Sequence, residues 1–222
     1  MSDETRWRLI VVGGHTRSIG KTQLVCDLIA ALPEAQFIAG KITQYGHGVC
    51  AQNGEHCGCA PDEHSSAFDW ESDSVSGTDS ARFLAAGAHR SFWLRTKQGH
   101  LAEGMPLLRN ALRNLPVDSS SSSLNLIIES NSLLQFLKPS IYLAVVDPEK
   151  EDFKATAHSI LDRADALVLR HNFPKTGTSW PQVSSKLLQA RRAFLQHEGE
   201  AVPLPLLELV SNALSHSARV RI

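Results

Sequence analysis

The chain has 222 residues, of which 42% are hydrophobic and 20% charged, and its formal net charge at pH 7 is −1. This composition excludes a disordered chain, the charge leaves no basic footprint for nucleic acid, and no apolar run approaches the roughly 20 residues that cross a bilayer. Residues 1–8 are polar, unlike a signal sequence, and the cysteines are too few for a disulfide-stapled scaffold. We therefore expect one domain over residues 1–222, located in the cytoplasm, with neither nucleic-acid nor membrane partners.

The first strand is predicted at residues 7–12, and it leads into a glycine-rich segment, Gly13-Gly14-His15-Thr16-Arg17-Ser18-Ile19-Gly20-Lys21-Thr22. A strand, a glycine-rich loop and a helix in this order are typical of a nucleotide phosphate-binding loop, whose backbone N–H groups form a concave anion site. Lys21 would neutralise the outer phosphates, and the Thr22 hydroxyl would hold Mg²⁺. The predicted nucleotide contacts here are Gly14, His15, Thr16, Arg17, Ser18, Ile19, Gly20, Lys21, Thr22 and Gln23.

The spacing of this loop differs from the standard motif. Gly14 and Gly20 enclose one residue more than the motif has, and His15 stands where its first glycine belongs. Either the loop carries an additional residue, or His15 occupies that corner with an unusual backbone angle. A glycine-rich turn that merely ends in Gly-Lys-Thr is the alternative, but its place after the first strand favours nucleotide binding.

The rest of the chain alternates helices with strands, several of them wholly apolar, which predicts a mostly parallel sheet covered on both faces. Helices are predicted at residues 21–32, 77–86, 103–115, 132–137, 155–164, 179–197 and 206–215. Further strands are predicted at residues 36–42, 90–95, 124–129, 141–147, 166–170 and 201–204. The expected fold class is α/β, a three-layer P-loop NTPase fold.

Ligands of such sheets bind beyond the carboxyl ends of the strands, an edge that would gather residues 15–22, 41–48, 129–132, 147 and 170–172. Glu129 ends an apolar strand and is the predicted partner of Thr22 in holding Mg²⁺, with Asp147 as the weaker alternative. Lys41 would neutralise a substrate anion or the outermost phosphate, or simply reach water. Asp79 would act on Mg²⁺ or on a substrate hydroxyl, or it would only cap its helix, a role that Thr78 could also fill. Asn172 would contact the base.

Residues 45–75 lack periodicity and form a predicted irregular insertion rich in cysteine and histidine. Thiolates and imidazoles suit Zn²⁺, copper(I) or an iron–sulfur cluster, although the spacing is not that of a zinc knuckle. A redox thiol pair or a contact to a substrate sulfur are the other interpretations. The candidate Zn²⁺ or Fe–S ligands are His47, Cys50, Cys57, Cys59 and His64.

Three stretches, in order, resemble the MobB proteins, the molybdopterin-guanine dinucleotide biosynthesis protein B family. They are residues 11–23 with Gly-Lys-Thr, residues 38–47 with sequence IAGKITQYGH, and residues 77–88 with sequence GTDSARFLAAGA. The resemblance implies a P-loop fold and GTP binding with slow hydrolysis, in an accessory role for molybdenum cofactor maturation. The sequence departs from the family in having Glu129-Ser130 where the family has Glu-Gly, and in its longer insertion.

The leading functional prediction is a Mg²⁺-dependent protein that binds ATP or GTP, with Lys21, Lys41 and Glu129 as the catalytic residues. A small-molecule kinase or ligase of the same fold is one alternative. Others are a metal or iron–sulfur sensor or carrier with a nucleotide switch, and an adaptor that docks on another cofactor-biosynthesis protein. The partners expected are a nucleotide and a small-molecule substrate, and a homodimer is left open.

Overall fold

The computed structural model describes residues 6–45, 65–115, 124–173, 180–216 and 220–222. The predicted metal or cluster ligands His47, Cys50, Cys57, Cys59 and His64 lie outside these ranges. Among the helices that it describes, none has the length and apolar character to cross a membrane.

Strands and helices alternate along most of the chain. The strands are β1 (Arg6–Gly14), β2 (Phe37–Tyr45), β3 (Ser66–Trp70), β4 (Arg90–Lys97), β5 (Asn125–Glu129), β6 (Ile141–Val146), β7 (Ala166–Leu169), β8 (Arg192–Leu195) and β9 (Val220–Arg221). The helices are α1 (Lys21–Ala31), α2 (Asp79–Ala85), α3 (Leu101–Arg113), α4 (Ala155–His158), α5 (Ser185–Ala190) and α6 (Leu204–His216). Short 3-10 turns lie at Pro33–Ala35, Ser132–Gln135 and Leu161–Arg163.

All of these strands belong to one sheet with the order β3-β4-β2-β5-β1-β6-β7-β8, and β9 pairs with the start of β1. Every strand except β3 and β9 runs in the same direction. β1 lies between β5 and β6, so the loop after β1 meets the ends of both neighbours. The carboxyl ends of the parallel strands therefore form one edge, as predicted.

Both faces of the sheet are covered by helices. Successive residues of a strand point to opposite faces, and in β1 Leu9 and Val11 pack in one core cluster while Ile10 and Val12 pack in another. The second cluster contains residues of α1, α2 and α6, and the first contains residues of α3 and α5. The predicted fold class is confirmed: a three-layer α/β arrangement with a mostly parallel sheet, as in P-loop NTPases.

Helix α1 is fixed against this sheet by its apolar face. Leu24, Val25, Leu28 and Ile29 are buried, and each fully buried side chain of this kind contributes about 1.5–3 kcal/mol. The helix ends at Ala31, before Pro33, whose ring and missing N–H cannot continue it. Its N-terminus is thereby held at the carboxyl end of β1.

The predictions for the last third of the chain are partly wrong. Residues 179–197 do not form one helix, because Arg192–Leu195 is strand β8, which pairs with β7. The apolar residues of this segment, Leu187, Leu188, Phe194 and Leu195, are spaced in a way that fits one long helix as well as a helix followed by a strand. Pairing with β7, a distant segment, determines that Arg192–Leu195 is a strand.

Other segments also differ from the prediction. The helix predicted at 132–137 is a 3-10 turn at Ser132–Gln135, and the helix predicted at 155–164 is divided into α4 and the 3-10 turn at Leu161–Arg163. No strand forms at 201–204, since α6 begins at Leu204 directly after Pro203. The predicted irregular region 45–75 contains the end of β2 and strand β3, which pairs antiparallel with β4 at the edge of the sheet. The local hydrophobic pattern of Ser66–Trp70 does not indicate a strand, because the pairing with β4 depends on a distant segment.

Candidate functional site

The loop between β1 and α1 begins at Gly14, where the chain turns out of the sheet. The Gly14 N–H donates to Asn131 Oδ1 at 2.9 Å, and Asn131 Nδ2 donates to the Gly14 carbonyl at 2.8 Å. A Cβ atom on Gly14 would lie 2.7 Å from Ile19 Cδ1 and 3.0 Å from the Val145 carbonyl oxygen. Lack of space therefore requires glycine at this position.

His15 anchors the loop to the segment after β6. Its Nδ1 lies 2.8 Å from the Asp152 carbonyl oxygen, and its Nε2 accepts the Asp147 N–H at 3.1 Å. Because a carbonyl only accepts and an N–H only donates, the ring is neutral with its proton on Nδ1, and burial lowers the pKa of His15 accordingly. The ring centroid lies 5.0 Å from that of Phe153 and 4.8 Å from that of Trp180. Both ring nitrogens therefore have protein partners, and a contact between His15 and a nucleotide stays a prediction.

The backbone angles of the loop decide between the two explanations of its length. Ser18 and Gly20 have φ values of 50° and 81°, whereas His15 is not in the left-handed region. The unusual backbone conformation therefore lies at Ser18 and not at His15. A left-handed backbone costs a residue other than glycine about 1–2 kcal/mol.

Two cations from neighbouring elements bind the carbonyl oxygens of this loop. Lys150 Nζ donates to the Ser18 carbonyl at 2.8 Å. Arg170 donates through Nε to the Ile19 carbonyl at 3.1 Å and through Nη2 to the Gly20 carbonyl at 2.6 Å. In a planar trans peptide the following N–H points opposite to its carbonyl, so these contacts turn successive N–H groups to the other side of the loop. The arrangement is that of a backbone anion site, and it continues into the first turn of α1, where N–H groups lack helical acceptors.

Lys21 is the first residue of α1 and lies across this loop. Its Nζ donates to the Thr16 carbonyl at 2.9 Å, and among the described residues no carboxylate oxygen lies within 4 Å of it. Burial lowers the pKa of Lys21. The Glu129 charge acts in the opposite direction but does not cancel the effect of burial. A half-buried ammonium with no carboxylate in contact is expected to bind an anion.

Thr22 and Glu129 bring two oxygen ligands together beside the loop. Thr22 Oγ1 donates to Glu129 Oε2 at 2.7 Å, and Glu129 is only 4% exposed. Lys41 Nζ lies 3.2 Å from Glu129 Oε1 and also pairs with Asp79. A hydroxyl and a carboxylate are ligands that Mg²⁺ accepts, so the donor set fits the predicted ion.

Lys41 pairs with Asp79 and Glu129, two ion pairs that the sequence analysis did not predict. Burial alone would lower the pKa of Lys41, but the carboxylates of Glu129 and Asp79 raise it above its ordinary value, so Lys41 does not simply reach water. Of the two predicted caps of α2, Thr78 is confirmed, because it is the N-cap and accepts the Ala81 N–H at 3.1 Å, and the interpretation of Asp79 as the cap is wrong.

Lys154 is a residue of this site that sequence reasoning missed. It lies between β6 and α4, and its N–H donates to the His15 carbonyl at 2.9 Å. Burial, followed by the charges of Lys21 and Arg17, lowers the pKa of Lys154 to about 8. The only signal for it in the sequence is its position in an aperiodic segment that follows a strand ending at the ligand edge.

Asp147, the weaker candidate for Mg²⁺, lies on the other side of the loop from Glu129. Its Oδ1 lies 2.8 Å from His171 Nδ1, while His171 Nε2 lies 3.6 Å from Glu149 Oε2. Burial would raise the pKa of Asp147, but the hydrogen bond from His171 brings it below the ordinary value. In the described part of the chain, these residues are the one group of three or more histidine, cysteine, aspartate or glutamate side chains whose ligand atoms could converge on a metal ion. The two ring nitrogens face different carboxylates, so the observed geometry is that of an imidazole bridging two acids.

The remaining predicted contacts are placed as follows. Arg17 and Asn172 are exposed at the ligand edge. The Gln23 side chain donates to Asp27 Oδ1 at 2.7 Å and accepts from Arg82 Nη2 at 2.7 Å. Contacts of these three side chains with a nucleotide remain predictions.

Comparison with known proteins gives a distant structural likeness only. No protein-family model matches the chain, and a search of the curated proteins finds no similar sequence. Among solved structures, the chain is similar to HypB from Helicobacter pylori, whose structure was determined in complex with nickel. The two share 16% sequence identity over 95% of this chain and 92% of that chain, with a TM-score of 0.46. The fold is therefore described from the structure itself: an α/β protein with a mostly parallel sheet and a P-loop NTPase-like arrangement of β1, loop and α1.

Proposed function

We propose that the protein is a Mg²⁺-dependent nucleoside triphosphate-binding protein that hydrolyses ATP or GTP. The observation that carries the proposal is the 2.7 Å contact between Thr22 Oγ1 and Glu129 Oε2 beside the loop. The half-buried Lys21 has a carbonyl partner there, and no carboxylate oxygen of the described residues lies within 4 Å of it. A cation site and an anion site thus adjoin at the N-terminus of one helix. A Mg²⁺ nucleoside triphosphate presents both charges side by side in the same way.

Each residue has a distinct role in this proposal. The N–H groups of Gly20 and Lys21 bind phosphate oxygens, and the Lys21 ammonium neutralises the charge that develops during phosphoryl transfer. Thr22 and Glu129 would hold Mg²⁺, which when bound neutralises the outer phosphates. Lys41, fixed by Glu129 and Asp79, would bind an anionic oxygen of the outermost phosphate or of a second substrate.

The experiment is isothermal titration of the protein with ATP and with GTP, each with and without Mg²⁺, followed by phosphate release. We expect one of the two triphosphates to bind in a Mg²⁺-dependent manner, with Asn172 contributing to the choice of base. The Thr22→Val variant removes the hydroxyl at nearly constant volume and should lose the Mg²⁺ dependence. Equal binding with and without Mg²⁺ would argue against the proposal.

A small-molecule phosphotransferase is a second candidate, favoured by the contact between Lys41 and Asp79. Asp79 is a partly exposed carboxylate next to Lys41, so it offers a base for a substrate hydroxyl. Phosphate release that requires no added acceptor supports the hydrolase, whereas turnover only with an acceptor supports the transferase.

We propose the pathway and the remaining partners on the resemblance to MobB. In this proposal the protein is cytoplasmic, serves molybdenum cofactor maturation, and docks on another cofactor-biosynthesis protein, alone or as a homodimer. The Cys/His-rich insertion would bind Zn²⁺ or an Fe–S cluster through His47, Cys50, Cys57, Cys59 and His64. Elemental analysis of the purified protein and of a Cys57→Ser/Cys59→Ser variant tests the metal: equal contents in the two would refute it.

A further inference from the structure

Arg170 is a buried cation held almost entirely by neutral partners. It is the first residue after β7 and is 7% exposed. Besides the Ile19 and Gly20 carbonyls, its Nη1 donates to the Gln196 carbonyl at 3.1 Å and to Gln196 Oε1 at 3.2 Å. No carboxylate oxygen of the described residues lies within 4 Å of the guanidinium. Burial accordingly lowers the pKa of Arg170, although a guanidinium remains protonated.

A buried cation without a carboxylate partner lowers the free energy of unfolding, so the stability of the fold does not explain why an arginine is present here. Removing a charge from water costs several kcal/mol unless an opposite charge compensates, and a neutral side chain could fill the same space. Gln196 in turn donates through Nε2 to Asp27 Oδ2 at 2.9 Å, so this carboxylate reaches the guanidinium only through Gln196. The positive charge is thus fixed in place without being neutralised there.

The position of the guanidinium is matched to the loop. Gly20 has a φ of 81°, and a Cβ on Gly20 would lie 2.8 Å from Arg170 Nη2. The close approach lets one planar fork bind two successive carbonyls at fixed geometry. The N–H groups of Gly20 and Lys21, which share those peptide planes, are therefore directed away from Arg170.

We propose that Arg170 is a positioning residue for the anionic tail of the nucleotide. It fixes two peptide groups so that their N–H groups face the phosphates, and its charge lies behind those peptides on the same side as their negative ends. This inference rests on the proposed nucleotide binding. In it, the guanidinium adds a positive charge to the partial charges of the loop's N–H groups. A lysine at this position keeps the charge but not the fork, and a glutamine loses both the charge and most of the donors.

The test compares Arg170→Gln and Arg170→Lys with Arg163→Gln in the full chain. Arg163 also donates to main-chain carbonyls, those of Leu134 and Leu137, but it precedes β7 at the opposite edge of the sheet. Titrations with the mono-, di- and triphosphates of adenosine and guanosine measure affinity, and thermal unfolding of each variant reports folding.

We expect Arg170→Gln to weaken triphosphate binding by more than about tenfold, since hydrogen bonds from a charged donor are strong. Arg170→Lys should lie between it and the wild type, and Arg163→Gln should equal the wild type. The loss should grow with the number of phosphates, which a general loss of structure would not produce. If Arg170→Gln does not fold, a folded Arg170→Lys with weakened triphosphate binding supports the inference.

Two outcomes overturn it: a folded Arg170 variant with unchanged triphosphate affinity, or a loss that is equal for all phosphate lengths. Failure of the proposed function is distinguishable, because in that case the wild type binds neither triphosphate. Wild-type binding with an unaffected Arg170 variant refutes only the role of Arg170.

Discussion

The two sides of the α1 N-terminus differ in how their charges are compensated. On one side, which we call the paired side, Lys41 lies between the carboxylates of Asp79 and Glu129. On the other, the unpaired side, Lys21, Lys154 and Arg170 have no carboxylate oxygen within 4 Å among the residues that the structure describes. The unpaired side includes the loop between β1 and α1, where Arg170 binds the Ile19 and Gly20 carbonyls and Lys150 binds that of Ser18.

The difference indicates what each side binds. Carboxylates already compensated by an ammonium can exchange that partner for another cation, whereas buried ammonium and guanidinium groups without counterions gain most from an anion. The effects of substitutions should therefore separate into losses of anion binding and losses of cation binding.

The largest expected effect is that of Lys21→Ala on the unpaired side. It removes the half-buried ammonium beside the loop, so triphosphate binding should weaken by about a hundredfold. Titration calorimetry measures the change, and Lys186→Ala, on the exposed face of α5, serves as the control. Comparable losses in the two variants would mean that Lys21 has no special role.

Glu129→Gln on the paired side should have a smaller effect, confined to the cation. It keeps the shape but removes the charge next to Thr22, so Mg²⁺ should no longer improve triphosphate affinity, a loss of about tenfold. Mg²⁺ titrations at fixed nucleotide concentration measure this, with the exposed Glu103→Gln as the control. Retention of full Mg²⁺ dependence would remove Glu129 from the proposed site.

Lys41→Met should affect stability more than binding. It leaves the buried Glu129 carboxylate without its ammonium partner, which is expected to cost about 1–3 kcal/mol. Mg²⁺ should restore part of that stability by replacing the lost charge, as thermal unfolding with and without Mg²⁺ would measure. A variant as stable as the wild type, or one indifferent to Mg²⁺, would contradict the pairing of Lys41 with Glu129.

The smallest effect is expected from Lys154→Gln, and it depends on pH. The pKa of Lys154 is lowered to about 8 in the folded protein, whereas a lysine in the unfolded chain has a pKa of about 10.4. Between about pH 8 and about pH 10.4 the unfolded chain therefore binds more protons than the folded protein. The free energy of unfolding consequently rises with pH over this range. Below pH 8 the half-buried charge opposes folding, so the variant should unfold at a higher temperature than the wild type. This difference in unfolding temperature should shrink toward pH 10. Triphosphate binding by the wild type should weaken from pH 7 to pH 9 more than that of the variant. Parallel pH profiles would show that Lys154 does not take part.

Much of the site could be predicted because its parts are local in sequence. The Gly, Lys and Thr spacing places Lys21 and Thr22 at the start of α1, and the rule that parallel strands share a ligand edge brings Glu129 and Lys41 near them. The role of Asp79, which closes the paired side, could not be predicted, since nothing local distinguishes a carboxylate that caps its own helix from one that reaches a lysine on a distant strand.

The unpaired side could be predicted only in part, because its contacts connect distant segments. Arg170 is expected at the ligand edge of the sheet. Its hydrogen bonds to the Ile19 and Gly20 carbonyls, however, depend on the position of β7 and on the contact with Gln196. Gln196 follows β8, a strand that the periodicity indicates as helix. Trp180 likewise falls in that predicted helix, whereas it is buried against His15. Long-range packing decides such roles, and a single sequence carries no local pattern for it.

The central claim is that the N–H groups of Gly20 and Lys21 face the phosphates of a nucleotide. Backbone amide resonances of the 24.3 kDa chain can be followed by NMR during titration with Mg²⁺ and ATP or GTP. We expect the Gly20 and Lys21 amide protons to show the largest downfield shifts, as new hydrogen bonds to anionic oxygens form. Saturable nucleotide binding that leaves these two resonances in place, while others move, would contradict the claim.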